Sequence, residues 1–368
     1  MRNSYKIAVI IVCYNGREYL PDCLNSLKEQ TFLPDRIIVV DNASSDDSVD
    51  YIKKNFPKIE LIENKGNNGF AKANNQGIIR ALKSDLIQSA NRSDFIFLLN
   101  QDTICRPDCL EKLIERTEKE KEKENVFAWQ PMILCWSADA DRPDKDLIQT
   151  AGDKIHYLGF GFCGDYKKPI TQLPNYLNVQ LSNITYASGA AMFINVFALK
   201  KVGFFDQDLF LYHEDLDLCL RARFLGYEIK LASEAVVYHK YVEGIPKHRW
   251  YWSEKNRLLT LIKFYKWPTL VLIFPAWLFM EFGVLGFSLA TGWFHLKIKS
   301  YFVCLTQIPK ALAKRKRIQE MRKIKDRQLA EFLEAEFNFA GFENPIIKKI
   351  VNPILGTYWR LARKIIFW

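Results

Sequence analysis

The sequence predicts an α/β fold built on a mostly parallel sheet flanked by helices. Short apolar, β-branched runs recur through its first part: KIAVIIV (6–12), RIIVVD (36–41), IELIE (59–63) and DFIFLL (94–99). Segments with helical apolar spacing separate them, which is the βαβαβ order of a sheet with helical crossovers. Polar residues follow the runs closely: Asn15, Asp41, Asn68, Asn100 and Asp102. Ligands on such sheets bind beyond the C-terminal strand ends.

Each element has its own signal. KIAVIIV is apolar throughout, as a strand covered on both faces must be. CYNGRE (13–18) turns the chain, and Tyr19, Leu20, Cys23, Leu24 and Leu27 then recur at helical spacing. RIIVVD ends on Asp41, and NASSDDS supplies a Ser or Asp cap for a second helix. The Gly- and Asn-rich NKGNNGFAKANNQGI (64–78) feeds a third. DFIFLLNQD (94–102) is a buried strand running into Asn100 and Asp102. YHEDLDLCLR (212–221) opens an apolar-periodic helix with Glu214, Asp215 and Asp217, and AVVYH ends on His239. Leu216, Leu220 and Phe224 share the buried face of that helix, while Asp217 faces Arg221 at i+4.

Oxygen ligands, a further carboxylate and an imidazole are what metal-assisted transfer to a hydroxyl needs. Taken singly, Asp102 reads equally as a turn residue and the later acids as helix caps. No GxGxxG opens the first helix and no GxxxxGK[ST] occurs, which argues against the usual dinucleotide fold and a P-loop nucleotidase.

The chain has 368 residues, 49% hydrophobic and 26% charged, with a net charge of +10. That is enough for a catalytic domain of roughly 250 residues and an appendage. The basic surplus gathers near the C-terminus, as in AKRKRIQEMRKIK (313–325), beside apolar sequence. This pattern points to an anionic membrane surface and not to nucleic acid. Eight scattered cysteines without a CxxC read as reduced cytosolic thiols. The apolar stretch at the N-terminus is short and reads as a strand, not a signal peptide.

Eight motifs, in order, carry a resemblance: VIIVCYNGREYLPDCLNSLKEQT (9–31), VVDNASSDDS (39–48), NNGFAKANNQGI (67–78), LLNQDT (98–103), YASGAAMFI (186–194), YHEDLDLCLR (212–221), AVVYHK (235–240) and KNRL (255–258). Together the sequence resembles the family 2 glycosyltransferases of GT-A fold, and within them the rhamnosyltransferase-like branch. The resemblance implies a catalytic domain over 1–258 that moves a sugar, such as rhamnose from dTDP-rhamnose, with inversion, from a nucleotide-diphosphate donor to a lipid-linked or polysaccharide acceptor. It implies Asp41, Cys13, Tyr14 and Asn15 at the donor base, with Asn68, Gly69 and Phe70 closing that pocket. Asn100, Gln101 and Asp102 stand at the DxD-type motif. Asp102 and His239 would hold Mg2+ or Mn2+, and Asp215 would be the base. Asn100 replaces the motif's first carboxylate, so the site carries less charge before diphosphate arrives.

Further roles follow from residue type. Lys255 or Arg257, in the aromatic and basic HRWYWSEKNR (248–257), is placed to clamp a diphosphate. Gly189, Ala190, Glu214 and Trp252 are assigned to the acceptor side, where small residues permit close approach and aromatics stack on sugars. A nucleotidyltransferase and a catalytically inactive membrane scaffold are the competing readings. CYNGREYL is a poor phosphate loop for the first, and Asp102, Asp215 and His239 are all present, which disfavours the second.

Residues 259–368 read as a membrane-associated helical region. From Trp267 to Phe294 only Glu281 is formally charged. One span would separate a cytosolic catalytic domain from a basic tail, and two spans need roughly 20 residues each. A re-entrant or interfacial helical pair at the cytoplasmic face of the cell membrane satisfies both limits, with Glu281 near its turn or facing protein. A very apolar soluble core, or a dimer interface that would make the protein a homodimer, is the alternative use of this segment. Residues 318–340 then read as one charged amphipathic helix, and Trp359 and Trp368 as anchors at the lipid interface.

Overall fold

A computed structural model describes residues 5–83, 94–119, 125–136, 147–172, 184–240, 247–337 and 344–368. In chain order the elements are β1 (Lys6–Cys13), α1 (Leu20–Lys28), β2 (Arg36–Asp41), α2 (Ser48–Asn55), β3 (Glu60–Glu63), α3 (Gly69–Leu82), β4 (Asp94–Asn100), β5 (Thr103–Cys105), α4 (Cys109–Lys119), β6 (Val126–Cys135), β7 (Ile148–Thr150), β8 (Asp153–His156), β9 (Gly161–Cys163), β10 (Ala191–Asn195) and α5 (Val196–Val202). There follow α6 (Glu214–Phe224), β11 (Glu228–His239), α7 (Lys247–Phe264), α8 (Trp267–Ala290), α9 (Phe294–Met321), α10 (Asp326–Ala330), β12 (Leu333–Glu334) and α11 (Asn352–Ala362). They pack as two compact units. The first takes in Met1–Asp153, Cys163–Phe210 and Tyr227–Val242, and the second Lys154–Phe162, Leu211–Gly226 and Glu243–Trp368.

The first unit is built on a sheet of order β3-β2-β1-β4-β10-β6-β11-β5, with β7 beside β6. β1 pairs in parallel with β2 and β4, and β2 with β3. The sheet is nonetheless mixed, which corrects the expectation of a mostly parallel one. β10 runs antiparallel to β4 and β6, with Ala191 opposite Leu99 and Phe193 opposite Trp129. An apolar run covered on both faces signals a strand but not its direction. β10 carries Phe193, stacked on Phe95 at 4.6 Å and edge-on to Trp129 at 6.5 Å. These rings join Ile7, Val9, Val39, Leu24 and Leu113 in one continuous core. Each such side chain contributes about 1.5–3 kcal/mol on burial.

The parallel half positions the loops that matter. Cys13 on β1 is level with Asp41 on β2, and Val12 is level with Asn100 on β4. Three chain turns therefore leave the same edge of the sheet. Gly77 lets α3 lie close over the sheet, because a Cβ there would meet Ile10 at 2.4 Å.

The second unit is helical. Leu216, Leu220 and Phe224 bury one face of α6, as their spacing predicts. Asp217 accepts from Arg221 at 2.9 Å and also pairs with Lys263. Residues 267–294 contain one helix, α8, closed by Gly292 at φ 73°, so the expected helical pair does not form inside that segment. Gly283 and Gly286 keep ordinary helical φ, and Glu281 faces protein: Arg257 and Lys297 bind its carboxylate. Over the described part of 318–340, residues 318–337, the expected single charged helix does not form; 338–340 lie outside the described residues. α9 ends at Met321 and Asp326 starts a new, short helix. Trp359 is fully buried, its ring stacked on Tyr157 at 4.5 Å, and is no interfacial anchor.

Candidate functional site

At the exit of β1 the chain is tied to its neighbours through backbone groups. Asn15 adopts φ 48°, a conformation asparagine tolerates better than most residues. Its N–H donates to Ser44 Oγ at 2.9 Å, and its Oδ1 accepts from the Ser45 N–H at 2.8 Å. Asp41 is buried, and its carboxylate accepts from the N–H and hydroxyl of Ser44. Burial drives the Cys13 thiol up to about 11, so it stays a neutral wall beside this loop. The Tyr14 ring is about half exposed.

Gly69 stands at φ 77°, where a Cβ would meet the Phe210 ring at 2.5 Å and its carbonyl oxygen at 2.7 Å. The same carbonyl accepts from the Phe70 N–H at 2.7 Å. Asn68 precedes α3, and its Oδ1 accepts from Lys72 at 3.0 Å. These residues lie in the first unit with Cys13, Tyr14, Asn15 and Asp41.

β4 delivers the next group. The Asn100 N–H donates to the Ala190 carbonyl at 2.9 Å, and the Asn100 carbonyl accepts from Thr103 Oγ1 at 2.7 Å. Gly189 and Ala190 are both buried beside it. Gln101 turns back toward β1. Its Oε1 accepts from the Tyr14 N–H at 2.9 Å, and its Nε2 donates to the Tyr14 carbonyl at 3.2 Å. Gly16 makes room for this amide: a Cβ there would meet Gln101 Oε1 at 2.2 Å.

β11 brings its last residue to the same place. His239 Nε2 lies 3.1 Å from Asp102 Oδ1, and the Lys240 N–H donates to the Asp102 carbonyl at 2.8 Å. The other ring nitrogen, Nδ1, lies 2.7 Å from Gln149 Oε1 on β7. An amide oxygen only accepts, so Nδ1 carries the hydrogen and donates. In the neutral ring Nε2 then bears a lone pair facing a carboxylate. At 3.1 Å the two atoms are bridged by a hydrogen or by a cation. Among the described residues no group of three or more His, Cys, Asp or Glu forms a metal cluster. A carboxylate oxygen and an imidazole nitrogen are donor types that suit a divalent ion.

The remaining expected residues belong to the second unit. α6 begins after Phe210, Tyr212 and His213, three non-glycine residues at φ 63–67°. Such backbone costs of order 1–3 kcal/mol per residue and concentrates at functional sites. Two carbonyls of this turn, those of Leu211 and Tyr212, accept from Asn256 Nδ2 at 2.9 and 2.7 Å. Glu214 points inward: it is buried, and burial, then the neighbouring Asp215, push its carboxyl well above the usual range. Asp215 stays partly exposed, with Oδ1 accepting from the Leu216 N–H at 2.7 Å.

Arg257, expected at a diphosphate, is instead fully buried. Its guanidinium donates to Glu254 at 2.8 Å and pairs with Glu281. Lys297 joins both carboxylates. Burial opposes ionisation of Glu254, but Arg257 and Lys297 outweigh it and hold its pKa at about 2. A guanidinium already shared by two carboxylates is not free to clamp a phosphate. Lys255 is buried too, with Nζ 4.8 Å from the Trp252 ring centroid.

Sequence reasoning missed Gln149, Asn256 and Ser44. A polar partner on a separate short element leaves no periodic trace. Ser44 and Asn256 lie inside VVDNASSDDS and KNRL, but neither residue carried a role there.

With this geometry in hand, comparison with known proteins is informative. Residues 8–203 match the family described as "Glycosyl transferase family 2". The chain is 25% identical over 270 residues to the poly-beta-1,6-N-acetyl-D-glucosamine synthase of Staphylococcus epidermidis, covering 72% of this chain and 57% of that protein. It thus spans little more than half the length of that relative. It is 22% identical to the O-antigen chain rhamnosyltransferase RfbN of Salmonella typhimurium, covering 64% of this chain and 67% of RfbN. Among solved structures it is similar to GalNAc-T7 with UDP, GalNAc and Mn2+, at TM-score 0.52 and 15% identity over 71% of this chain and 48% of that one. That likeness speaks to fold alone, and the fold is the GT-A type. The family match spans the sheet edge that carries Tyr14, Asp41 and Asp102, and the chain belongs to glycosyl transferase family 2.

Proposed function

We propose that the protein is an inverting, metal-dependent glycosyltransferase. It takes a sugar from a nucleotide-diphosphate donor and places it on a hydroxyl of a glycan acceptor. The observation that carries this reading is the approach of Asp102 and His239, from different strands, to 3.1 Å at the open edge of the sheet. Family membership supports the reaction class.

In this reading Tyr14, Asn15 and Asp41 receive the base, and Asn68, Gly69 and Phe70 close over it. Asp102 and His239 would hold Mg2+ or Mn2+, with Asn100 and Gln101 shaping the loop; an ion held there would supply positive charge for the departing diphosphate. Asp215 takes the proton from the acceptor hydroxyl as its oxygen bonds to the anomeric carbon. The bond from that carbon to the diphosphate oxygen breaks, and the electron pair leaves with the nucleoside diphosphate. Burial, and then the neighbouring Asp215, favour the neutral form of Glu214, so the role of base falls to the more exposed Asp215. Gly189, Ala190 and Trp252 are assigned to the acceptor.

Rhamnose is the donor sugar suggested by the name of RfbN, and N-acetylglucosamine by that of the staphylococcal relative. A panel containing dTDP-rhamnose and UDP-N-acetylglucosamine, assayed for release of nucleoside diphosphate with and without Mn2+, tests the reading. Metal-dependent release from one donor is expected. No release from any donor, with an acceptor glycan mixture present, overturns it.

A further inference from the structure

We propose that α8, α9 and the C-terminal segment around α11 present a docking surface for an anionic lipid bilayer, one that enters a single leaflet without crossing it. Among the described residues, most of the large apolar side chains that stand exposed lie in the second unit, beyond residue 266. Val271 (74% exposed) and Phe282 (67%) represent α8, Phe302 (66%) represents α9, and Phe367 (70%) lies at the C-terminus. α8 is asymmetric. Thr269, Ile273, Ala276, Glu281, Val284 and Ser288 are buried along one stripe. Its only charged residue is Glu281, which is on that buried stripe, so the open face offers water nothing charged. Soluble surfaces rarely expose an apolar strip of this kind.

α11 is fastened to α8: Trp368 Nε1 donates to Thr269 Oγ1 at 2.8 Å, and the Tyr358 hydroxyl donates to the Leu272 carbonyl. Its own approach follows the same plan. Ile346, Ile350 and Ile354 are exposed at four-residue spacing. Lys348, Lys349, Arg360, Arg363 and Lys364 stand among them, and residues 344–368 contain no acid. Apolar stripes flanked by bases lie in the plane of an anionic interface, where the bases add electrostatic attraction to the apolar burial. At the same N-terminal end of α8, Lys266, Arg315 and Lys316 line a cleft beside Trp267.

Length does not separate docking from crossing. α8 has 24 residues, and at ~1.5 Å per residue that would span a ~30 Å core. The buried stripe separates them. Glu281 is bound to Arg257 of α7 and Lys297 of α9. A crossing helix would carry this ion cluster, and the charged helices that supply it, to membrane depth. An orientation with the open face in lipid and the ion cluster in protein avoids that cost.

Docking does not depend on the transfer chemistry, and its test needs no substrate. The full-length protein is floated with vesicles of phosphatidylcholine alone or mixed with phosphatidylglycerol. Binding at least tenfold stronger to the anionic vesicles is expected. The pair Phe282→Glu and Phe367→Glu should reduce it at least tenfold with an unchanged melting temperature. Protease added outside the vesicles should leave no protected fragment. A protected α8 fragment would establish a true span and overturn the proposal. Equal binding to both lipids, or by the double variant, would overturn it as well. So would a stable dimer that ignores vesicles and that Phe282→Glu dissociates, since the face would then belong to a second copy.

Discussion

The Gln149 carboxamide oxygen, 2.7 Å from His239 Nδ1, decides which nitrogen of that histidine faces Asp102. With Nδ1 occupied by a hydrogen, Nε2 is the nitrogen left to bind a cation. If His239 holds the ion as proposed, Gln149 would act through it and not on the substrate, as partners behind metal-binding histidines do.

Replacing Gln149 by Leu should weaken Mn2+ binding in the presence of nucleoside diphosphate by roughly 10–100-fold. Gln149→Glu keeps an acceptor at the same place and should retain most of the affinity. Calorimetry with metal as titrant reads both. If the Leu variant binds metal like the parent, His239 is not oriented through Gln149.

Asp215→Asn should lower turnover by roughly 10²–10⁴-fold and shift donor affinity no more than a few-fold, because a base acts in the transition state. The amide keeps the size of the side chain and the acceptor for the Leu216 N–H. Single-turnover transfer and donor binding, measured on the same preparation, separate the two effects. A variant that retains a tenth of the activity would remove Asp215 from the role of base. The same substitution at Glu214 should cost far less, since its carboxyl is buried and pushed toward the neutral form.

The placement of Asp41 and Asp102 at the sheet edge was legible in the sequence because strand ends are. RIIVVD declares both a strand and its exit, so Asp41 had to stand at the sheet edge. DFIFLLN does the same for Asp102. Partners from afar were not legible. Gln149 sits in a three-residue strand, ninety positions from the histidine it serves. The direction of β10 was equally hidden, since AMFIN reads alike from either end. Arg257 misled because an aromatic and basic block looks the same whether it faces phosphate or buried carboxylates. Two clues were present: Glu254 three residues earlier, and Glu281 as the sole charge in a long apolar run, which needs a cation.

Gly16 and Gln101 should be energetically coupled. A methyl group at position 16 would meet Gln101 Oε1 at 2.2 Å and Cys13 Sγ at 3.1 Å. The amide can retreat only by releasing both hydrogen bonds to Tyr14. Gly16→Ala should therefore cost about 1–3 kcal/mol and loosen the loop that precedes α1. In a Gln101→Ala background the same change should cost at least about 1 kcal/mol less. Additive effects in this double-mutant cycle, measured by urea unfolding, would mean that the two residues do not share the space.

His156 should give the second unit an acid-sensitive component. Its Nδ1 accepts from the Leu158 N–H at 3.1 Å, which forces the hydrogen onto Nε2, 3.3 Å from the Ala335 carbonyl. The ring is fully buried and stacked on Phe337 at 3.8 Å. Protonation would take the acceptor away from Leu158 and leave a charge without a counter-ion. Burial, and then the positive charge of Arg257, hold its pKa down at about 3, while the hydrogen bond to Ala335 only partly opposes them. The unfolded chain takes up this proton below about 6.5, and the folded chain does not until near 3. Between those limits the unfolded state binds more protons, so stability falls as pH falls, by about 1.4 kcal/mol per unit for this one group. Glu214 works in the opposite sense, because its raised carboxyl lets the folded state hold a proton that the unfolded state releases above about 4.5. The comparison must therefore be between proteins and not between pH values alone. His156→Gln has no titrating ring and keeps the Glu214 contribution. It should be less stable than the parent at pH 7.5, where the histidine's hydrogen bonds and stacking count in full. That deficit should shrink by more than about 1 kcal/mol at pH 5.5. Urea titrations followed by tryptophan fluorescence, to which Trp359 on Tyr157 contributes a nearby probe, give both values. A deficit that is the same at the two pH values would mean that the ring is solvated or charged in the folded protein.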